Sequence, residues 1–492
     1  MTNKQLSFSD VTIKKINLIS QSFLNGHPYD LIPHLREINI YENIFSNSLK
    51  ANITLDEAMN LPQTLPIVGE EYVEIDITIP GMSEKYNDDT YIVNPISMFV
   101  HKITNQKLKT PQSQSLSLEL VSESYMNNIH SRISKSYNDK KAGGHDGIVR
   151  DIYFRYLDPI LRKMRTGIFE PTKYLEECVI PNWTPFQAIN WLARRSISSQ
   201  TKDAANFVFY ETLQGHYFRS LTTMSLSEPV LIFALEPAKV DPKKVERFSR
   251  GIVACDAIEI AHQPEMIKNI NRGCYASTLI THDIVTKKIQ EQQYNLRESW
   301  NDVKHLNSDA PVNFNLRPLL TGIDRKGYGR TDYDPQGSVL TAPNISFAPI
   351  KDGQPLRYNE TRLSDCYDSA VYFKPKHSQM YAVKPDHVYD NNVEDWKLQR
   401  NSQMTLFDGL KFNVQCGGIP FLRVGAVVEI YMMSPQSNIG YESKEDTKLS
   451  GRCLVTAIRH VITNNFGNTE YKLWVELSMD SVQRDGIGAQ NL

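Results

Sequence analysis

Two stretches that lie far apart in this chain share one short pattern. Within Pro66–Ile75 and again within Leu422–Ile430, a Val-Gly pair is followed, after a short spacer, by Val-Glu-Ile, and the first spacer is one residue longer. A proline follows each copy, at Pro80 and at Pro435. A β-module that occurs twice in one chain predicts a duplicated barrel. A duplicated barrel in turn suggests a protein that builds a ring from half as many subunits as the ring has units.

Length, charge and cysteine content narrow the class of protein. At 492 residues the chain exceeds one hydrophobic core, which predicts two to four domains. The net charge of -2 provides no basic surface of the kind that phosphate binding needs. No apolar run reaches the ~18 residues that span a bilayer, and the N-terminus lacks the apolar core of a signal peptide. The six cysteines have no close pair, which argues against a zinc site or a disulfide framework and fits synthesis in the cytoplasm.

Alternating apolar and polar residues dominate the first 125 residues. The apolar positions of these period-two runs are Ile38 and Ile40, Ile53 and Leu55, Val73, Ile75, Ile77 and Ile79, and Leu116, Leu118 and Leu120. An alternation with period two means that one face of each strand is buried and the other is exposed to solvent. The pattern therefore predicts an antiparallel sheet or a small barrel.

A helical region is expected at about 145–200. The apolar stripe there consists of Ile148, Val149, Ile152, Tyr153, Tyr156 and Leu157. A second helix start follows, where Thr184 suits the N-cap, Pro185 the first helical position, and Gln187 the position that reaches back to the cap. Strands are expected again at 207–210, at 230–234 and within 252–293.

Residues 306–392 show neither the period of two that indicates a strand nor the period of a helix. The last β-module is expected at 399–482. A structureless stretch of that length exceeds an ordinary loop, so it is expected to be an extended arm or an insertion. Its aromatic residues favour an arm that binds something, since flexible linkers are poor in them. These aromatic residues include Tyr328, Tyr333, Tyr358, Tyr367, Tyr372, Phe373 and Tyr381.

Signatures of enzymes are missing from the sequence. It contains no Walker-A loop, no G-x-G-x-x-G, no H-E-x-x-H, no G-x-S-x-G and no EF-hand loop, and its twelve histidines are dispersed. Carboxylate pairs such as Glu70-Glu71, Asp88-Asp89 and Glu176-Glu177 are neighbours in sequence, and neighbours on a strand face opposite sides. We therefore predict no catalytic residue, no cofactor and no metal site. Glu74 and Glu429 hold equivalent places in the two modules, facing either solvent or the lumen of a ring.

Several blocks, in order along the chain, make it resemble the baseplate hub protein of contractile-tailed bacteriophages. The blocks are Ile40–Phe45, Thr64–Glu70, Ile180–Ala193, Phe209–Thr212, Tyr217–Leu221, Asn271–Ser277, Thr281–Asp283, Trp396–Gln403, Val424-Gly425, Leu449–Thr456 and Ile458–His460. None of these blocks is a catalytic motif. The resemblance is therefore one of architecture.

The resemblance implies two tail-tube-like β-barrels per chain beside a helix-containing domain. Three chains would form a homotrimeric torus with pseudo-sixfold symmetry, with the six-fold tail tube on one side and the three-fold central spike on the other. The implied partners are the tail tube protein, the central spike protein, the tape measure protein and wedge proteins, and the implied location is the virion tail baseplate. DNA would pass only in transit, without specific binding, and a near-neutral chain suits such a conduit because a basic lumen would bind phosphates.

The fold class expected from the residues and the resemblance together is α+β and mainly β. The expected domains are 1–125, a first tube-like barrel; 126–236, a helix-containing domain with returning strands; 237–305 and 393–492, the two parts of a second tube-like barrel; and 306–392, an irregular arm.

One leading function and three rivals remain open on the sequence alone. The chain is either a structural hub without catalysis, a tail-associated cell-wall hydrolase, a glycan-binding tail module that uses the aromatic arm, or the spike-complex core of a related contractile secretion machine. Proteins of the last kind usually carry the spike on the same chain, and no C-terminal β-helix repeat is present in the sequence.

Overall fold

A computed structural model gives the fold of most of the chain. The residues that it describes are 11–20, 28–65, 67–78, 96–137, 144–158, 167–174, 177–248, 250–307, 317–318, 350–351, 354–355, 366–376, 391–434, 445–446, 449–465 and 467–482. Strands predominate among these residues and a few helices accompany them, so the expected class, α+β and mainly β, is confirmed. Most of the arm predicted at 306–392 lies outside the described residues.

The first seven strands form a ring. They are β1 (Thr12–Ile19), β2 (Tyr29–Asp30), β3 (Leu35–Asn43), β4 (Lys50–Glu57), β5 (Tyr72–Thr78), β6 (Ile96–Thr110) and β7 (Ser113–Ser122), with the short helix α1 (Leu61–Thr64) after β4. Neighbours pair in the order β1-β5-β6-β7-β4-β3, and all pairs are antiparallel. β2 pairs with β1 and leads through a 3-10 turn (Ile32–His34) into β3, so this one stretch of chain reaches both edges and closes the ring.

The period-two patterns predicted these strands correctly because each strand has one face in a shared core. On β5, Val73, Ile75 and Ile77 are at most 3% exposed, while the residues between them are half-buried. The predicted alternations on β3, β4 and β7 are buried in the same way. The hydrophobic effect therefore places this ring's apolar faces inward.

A helix-containing unit follows the first ring. Its strands are β8 (Ile133–Tyr137), β9 (Ile168–Phe169), β10 (Cys178–Trp183), β11 (Phe207–Thr212) and β12 (Gly215–Ser220), and its helices are α2 (Glu123–His130), α3 (His145–Ile152), α4 (Pro185–Ala193) and α5 (Leu221–Ser225). A π-helical turn, Tyr153–Leu157, continues α3. The predicted apolar stripe on α3 packs with α4 and β11 in a core of its own.

The predicted start of α4 is confirmed in detail. The Thr184 side chain accepts a hydrogen bond from the Gln187 backbone N–H, and the Gln187 side chain accepts one from the Thr184 backbone N–H at 3.1 Å. Pro185 occupies the first helical position. These contacts satisfy amides that a helix start would otherwise leave unpaired.

The rest of the chain contains a second ring and a smaller sheet. The strands are β13 (Ile232–Ala234), β14 (Ile252–His262), β15 (Ala276–Asp283), β16 (Lys288–Asn295), β17 (Arg317–Pro318), β18 (Ile350–Lys351), β19 (Gln354–Pro355), β20 (Val371–Lys376), β21 (Leu410–Gly417), β22 (Val427–Tyr431), β23 (Gly451–Asn465), β24 (Asn468–Met479) and β25 (Ser481–Val482). The helices are α6 (Pro242–Val245), α7 (Met266–Asn271), α8 (Leu296–Ser299) and α9 (Val393–Phe407). Single 3-10 turns lie at Pro237–Lys239, Trp300–Asp302 and Tyr367–Ser369.

The second ring has the same strand order as the first. It closes as β13-β14-β21-β24-β23-β22, with β22 pairing back to β13. We number the strands of each ring in chain order and count β2 and β3 as one strand. Neighbouring strands around each ring then follow the order first, second, third, sixth, fifth, fourth. One difference separates them: β13 runs parallel to both of its neighbours, whereas β1 is antiparallel to both of its own. The chain therefore contains one ring topology twice, with its first strand reversed in the second copy.

Two strand irregularities occur at the same positions in both rings, whereas further register shifts on β1, β6 and β14 have no counterpart. A bulge between Val100 and Lys102 on β6 corresponds to one between Val455 and Ala457 on β23. A second bulge, between Leu35 and Glu37 on β3, has its counterpart between Cys255 and Ala257 on β14. The fifth strands, β6 and β23, are both 15 residues long. Bulges re-aim a strand and act as built features of a sheet, so shared bulges support true duplication of the module.

The smaller sheet consists of β16, β15 and β20, in that order. β20 pairs in parallel with β15, so the part of the predicted arm at 366–376 lies against this sheet. Residues 276–295 thus pair here rather than within a ring, and the domain boundaries drawn from the sequence stay a prediction. The last β-module was expected to begin near Gln399, which is wrong, because α9 continues to Phe407.

The repeated Val-Gly pair has a conformational cause. Gly69 and Gly425 both adopt positive φ, at 102° and 82°, just before the fourth strand of each ring. A side chain at such a φ is strained. The surroundings differ, since a Cβ on Gly425 would lie 2.6 Å from the Tyr210 hydroxyl, whereas the nearest atom to a Cβ on Gly69 is 3.8 Å away.

We expect Gly425→Ala to destabilise the protein more than its matched control, Gly69→Ala. The control pays only backbone strain, about 1–2 kcal/mol. Gly425→Ala adds the cost of overpacking against Tyr210 and Met224, about 1–3 kcal/mol more. Thermal unfolding of both variants measures the difference, and equal losses of Tm would show that the close approach has no cost.

Candidate assembly interface

A single antiparallel ladder joins the two rings. β3 of the first ring pairs with the second half of β23 over seven positions, from Asn43 opposite Ala457 to Glu37 opposite Thr463. β23 pairs on its other edge with β24, and its first half pairs with β22. The two rings are therefore two parts of one continuous sheet.

The ladder has an apolar and a polar component. Ile38 and Ile462 stand opposite each other and are 0% and 1% exposed. Arg459 donates a hydrogen bond from Nε to the Asn39 Oδ1 at 2.8 Å and lies 3.4 Å from the Glu37 carboxylate. The Arg459–Glu37 ion pair is partly exposed, so the buried apolar contacts contribute more to the joint than this ion pair does.

A buried carboxylate lies beside the ladder. Glu42 is 3% exposed and accepts hydrogen bonds from the backbone N–H groups of Leu213, at 2.8 Å, and Val424, at 3.4 Å. Burial raises the pKa of Glu42 to about 7, although these two amides oppose the rise. The side chain thus ties together the first ring, the helix-containing unit and the loop before β22.

A buried histidine faces this carboxylate. The Nε2 of His460 lies 3.9 Å from a Glu42 oxygen, and its Nδ1 lies 2.8 Å from the Tyr471 hydroxyl. Burial lowers the pKa of His460 to about 4, so the imidazole is neutral at pH 7. Desolvation therefore disfavours the charged form of both groups, and the Glu42 carboxyl is protonated below its raised pKa.

A second buried carboxylate connects the helix-containing unit to the first ring. Glu211, on β11, accepts hydrogen bonds from the backbone N–H of Leu49 at 3.0 Å and from the hydroxyls of Ser122 and Ser124. Its side chain is fully buried. Buried polar groups that are satisfied in this way fix the relative placement of the elements that they connect.

These buried groups were not predicted as structural residues from the sequence. Glu42 and His460 entered only as members of blocks that carry the resemblance. A signal was present, because period-two alternation places Glu42 on the same strand face as Ile38 and Ile40, which are buried. A carboxylate at an inward position of a strand indicates a junction with another unit.

Glu74 and Glu429 occupy equivalent places, as the sequence suggested. Glu74 pairs with Ser97 on β6, and Glu429 pairs with Arg452 on β23. The Glu74 carboxylate lies 2.7 Å from the Lys15 ammonium in a partly exposed ion pair. Burial raises the pKa of Glu429. Whether either faces the lumen of a ring stays a prediction.

Among the carboxylate pairs considered as candidate acid–base groups, Glu71 has a structural role and Glu70 is exposed. Glu71 is buried and accepts hydrogen bonds from the backbone N–H groups of Val68 and Gly69, so it holds the turn before β5. Asp88-Asp89 and Glu176 lie outside the described residues. Within the described part of the chain, no cluster of His, Cys, Asp or Glu could hold a metal ion.

An open groove runs along α9, and the carboxylate that lines it is already engaged. Asp408 lies in it, 2.8 Å from Arg272 and 3.1 Å from Lys411. These cations lower the pKa of Asp408. A carboxylate held in its ionised form by two cations is suited to structure rather than to proton transfer. Among the residues that the structure covers, no helix is long and apolar enough to cross a membrane.

The comparisons with known proteins give structural neighbours only. No family model and no curated protein matches the chain. Among solved structures, it is similar to a tail protein from Neisseria meningitidis MC58, with a TM-score of 0.45, 10% identity, and coverage of 96% of this chain and 97% of that one. It is also similar to the 43 kDa tail protein of prophage MuSo2 from Shewanella oneidensis, with a TM-score of 0.47, 9% identity, and coverage of 95% and 98%.

A third neighbour is the prophage tail protein gp18 from Listeria monocytogenes EGD-e. Its TM-score is 0.41 at 8% identity, and 94% of each chain is covered. All three TM-scores lie below 0.5. The three neighbours are tail proteins, which is the broad class that the resemblance in sequence named.

We expect the variants Glu42→Gln and His460→Gln to change stability in opposite pH ranges. The folded state of the natural protein holds the Glu42 proton more tightly than the unfolded state does, so its stability falls as the pH rises from about 4.5 through 7. Glutamine cannot ionise, and the advantage of Glu42→Gln should therefore grow over that range by about 2–3 kcal/mol.

The histidine variant serves as the matched control. The pKa of His460 is lowered to about 4, so the natural protein loses stability as the pH falls from about 6.5 to 4, and His460→Gln should lack this loss. Melting temperatures between pH 4 and 8 measure both effects. A constant difference between the Glu42→Gln and natural proteins across that range would show that the carboxylate is not desolvated.

Proposed function

We propose that this protein is a structural hub of a contractile phage tail. Three chains form a closed ring in which their six strand rings alternate around a channel. One face of the assembly receives the six-fold tail tube and the other receives the three-fold central spike. The protein acts by matching symmetries and carries out no catalysis.

The repeated ring topology is the observation that carries this proposal. Both rings have the same strand order, the same two bulge positions and fifth strands of equal length. Two units of equal topology in one chain can occupy equivalent places in a ring, so three chains present six similar surfaces. Closed cyclic symmetry is the usual arrangement of such homo-oligomers.

The proposed partners are those that the resemblance in sequence implies, and the proposed geometry offers a place for each. The six similar ring faces suit the tail tube protein, and the opposite, three-fold face suits the central spike protein. The tape measure protein would occupy the channel before DNA passes, and wedge proteins would contact the periphery. These assignments, and a location in the tail baseplate, rest on the resemblance in sequence.

The charge of the chain fits passage of DNA without binding. The net charge is -2, with 54 Lys and Arg against 56 Asp and Glu. A strongly basic channel would bind phosphates and slow passage. In the proposed assembly, DNA contacts the channel only during ejection.

Native mass spectrometry of the full chain tests the proposed assembly. We expect a species of three times the 56.3 kDa chain mass, and electron micrographs of it should show six similar densities on one face and three on the other. A peptidoglycan-cleavage assay on the same preparation is expected to give no activity. A strict monomer at all concentrations, or a monomer that cleaves peptidoglycan, would contradict the proposal.

A further inference from the structure

Two strand edges, one on each ring, have no strand partner among the described residues. The outer half of β6, residues 102–110, pairs with β7 on one side only. β14 pairs with β13 only at its start, so residues 255–262 pair with β21 alone. Unpaired edges of this length are sites where another strand adds.

The counterparts of these two edges are paired with each other inside the chain. β23 is the fifth strand of the second ring, as β6 is of the first. β3 is part of the second strand of the first ring, and β14 is the second strand of the second ring. The outer half of β23 forms its ladder with β3. The β23–β3 ladder within the chain is therefore the kind of contact that the described residues of β6 and β14 do not form.

The ladders of the two rings define which residues correspond. Matched through their partners on β7 and β24, because β6 has an extra register shift between Thr104 and Lys107, Leu108 corresponds to Ile462 and Lys107 to Val461. Counted from the shared bulge, Ile258 corresponds to Ile38 and Glu259 to Asn39. In the internal ladder, Ile462 stands opposite Ile38, and Val461 stands opposite Asn39.

Burial differs sharply between the used and the unused edges. Leu108 is 78% exposed, whereas its counterpart Ile462 is 1% exposed. Ile258 is half-buried, whereas its counterpart Ile38 is 0% exposed. An exposed leucine at the position of a buried ladder residue is explained if a second chain covers it.

The charges on the two unused edges are complementary. The outer half of β6 carries Lys102 and Lys107, and also Lys109, which is already paired with Asp56 at 2.8 Å; the β14 edge carries Asp256 and Glu259. Opposite charges across a strand pair stabilise it, and like charges oppose it. The same distribution disfavours pairing of β6 with another β6, or of β14 with another β14.

We propose that the outer half of β6 pairs antiparallel with β14 of a second copy of this chain. In this joint Lys107 lies opposite Glu259 of the neighbour, and Leu108 lies opposite Ile258 of the neighbour. The joint deepens the proposed ring assembly and rests on it, because it supplies the contact between chains that alternates with the internal β3–β23 ladder. Each contact joins the β6 edge of one chain to the β14 edge of the next chain, so a closed ring leaves none of these edges unpaired.

Disulfide trapping tests the register of the joint. In a Cys366→Ser background, which removes the one partly exposed cysteine, the pair Lys107→Cys and Glu259→Cys should form disulfide-linked trimers under mild oxidation. Residues opposite each other in a ladder lie within the distance that a disulfide spans. The control pair, Lys107→Cys with Asp256→Cys, is displaced by three residues, roughly 10 Å, and should stay uncrosslinked.

A charge exchange tests the same contact without cysteines. Lys107→Glu and Glu259→Lys should each raise the concentration at which the trimer half-dissociates by about tenfold or more, since each places like charges opposite one another. The double variant should return this concentration to within about threefold of the natural value. Such a rescue excludes misfolding as the cause of the single-variant losses.

The outcomes separate this joint from the proposed function. A trimer by native mass that neither crosslinks at 107 and 259 nor responds to the charge exchange overturns the joint and leaves the hub proposal standing. Equal crosslinking of the control pair, or of Lys107→Cys alone, also overturns it. A strict monomer overturns the ring assembly and the joint together.

Discussion

The ladder between β3 and β23 is the interaction on which the arrangement of this protein depends. Backbone hydrogen bonds along a strand edge are directional and repeat at a fixed spacing, so a ladder sets both distance and orientation between the two rings. An apolar contact alone would leave the rings free to slide. Here the ladder makes them parts of one sheet, and the position of each ring follows from the other.

Buried carboxylates add specificity to this frame at a cost in stability. Glu42 and Glu211 each receive backbone amides from a different part of the chain, so each marks a point where units meet. Desolvation opposes their charge, and the raised pKa of Glu42 expresses that cost. An apolar side chain at either place would pack without demanding particular amides. The carboxylates are therefore better read as alignment elements than as sources of stability.

Local patterns predicted the strands and the start of α4 because their causes are local: one buried strand face, or a cap within three residues. Other elements depend on distant contacts. The buried side of α9 includes Ser402, Gln403 and Thr405, so no apolar stripe indicated a helix. The outer half of β6 is polar or charged apart from Ile103 and Leu108, so no alternation indicated a strand. The β3–β23 ladder joins residues about 420 positions apart, and such pairing leaves no mark in a short window.

The position of the smaller sheet distinguishes the two rings. In the first ring, only the six residues between β3 and β4 connect the second strand to the third, whereas in the second ring residues 263–409 separate β14 from β21. That insertion includes the smaller sheet and α9. In any closed ring of these chains, this insertion would therefore lie on every second strand ring only. An assembly of six similar strand rings would then carry a three-fold pattern on its surface. Such an assembly could bind both six-fold and three-fold partners without a separate adaptor.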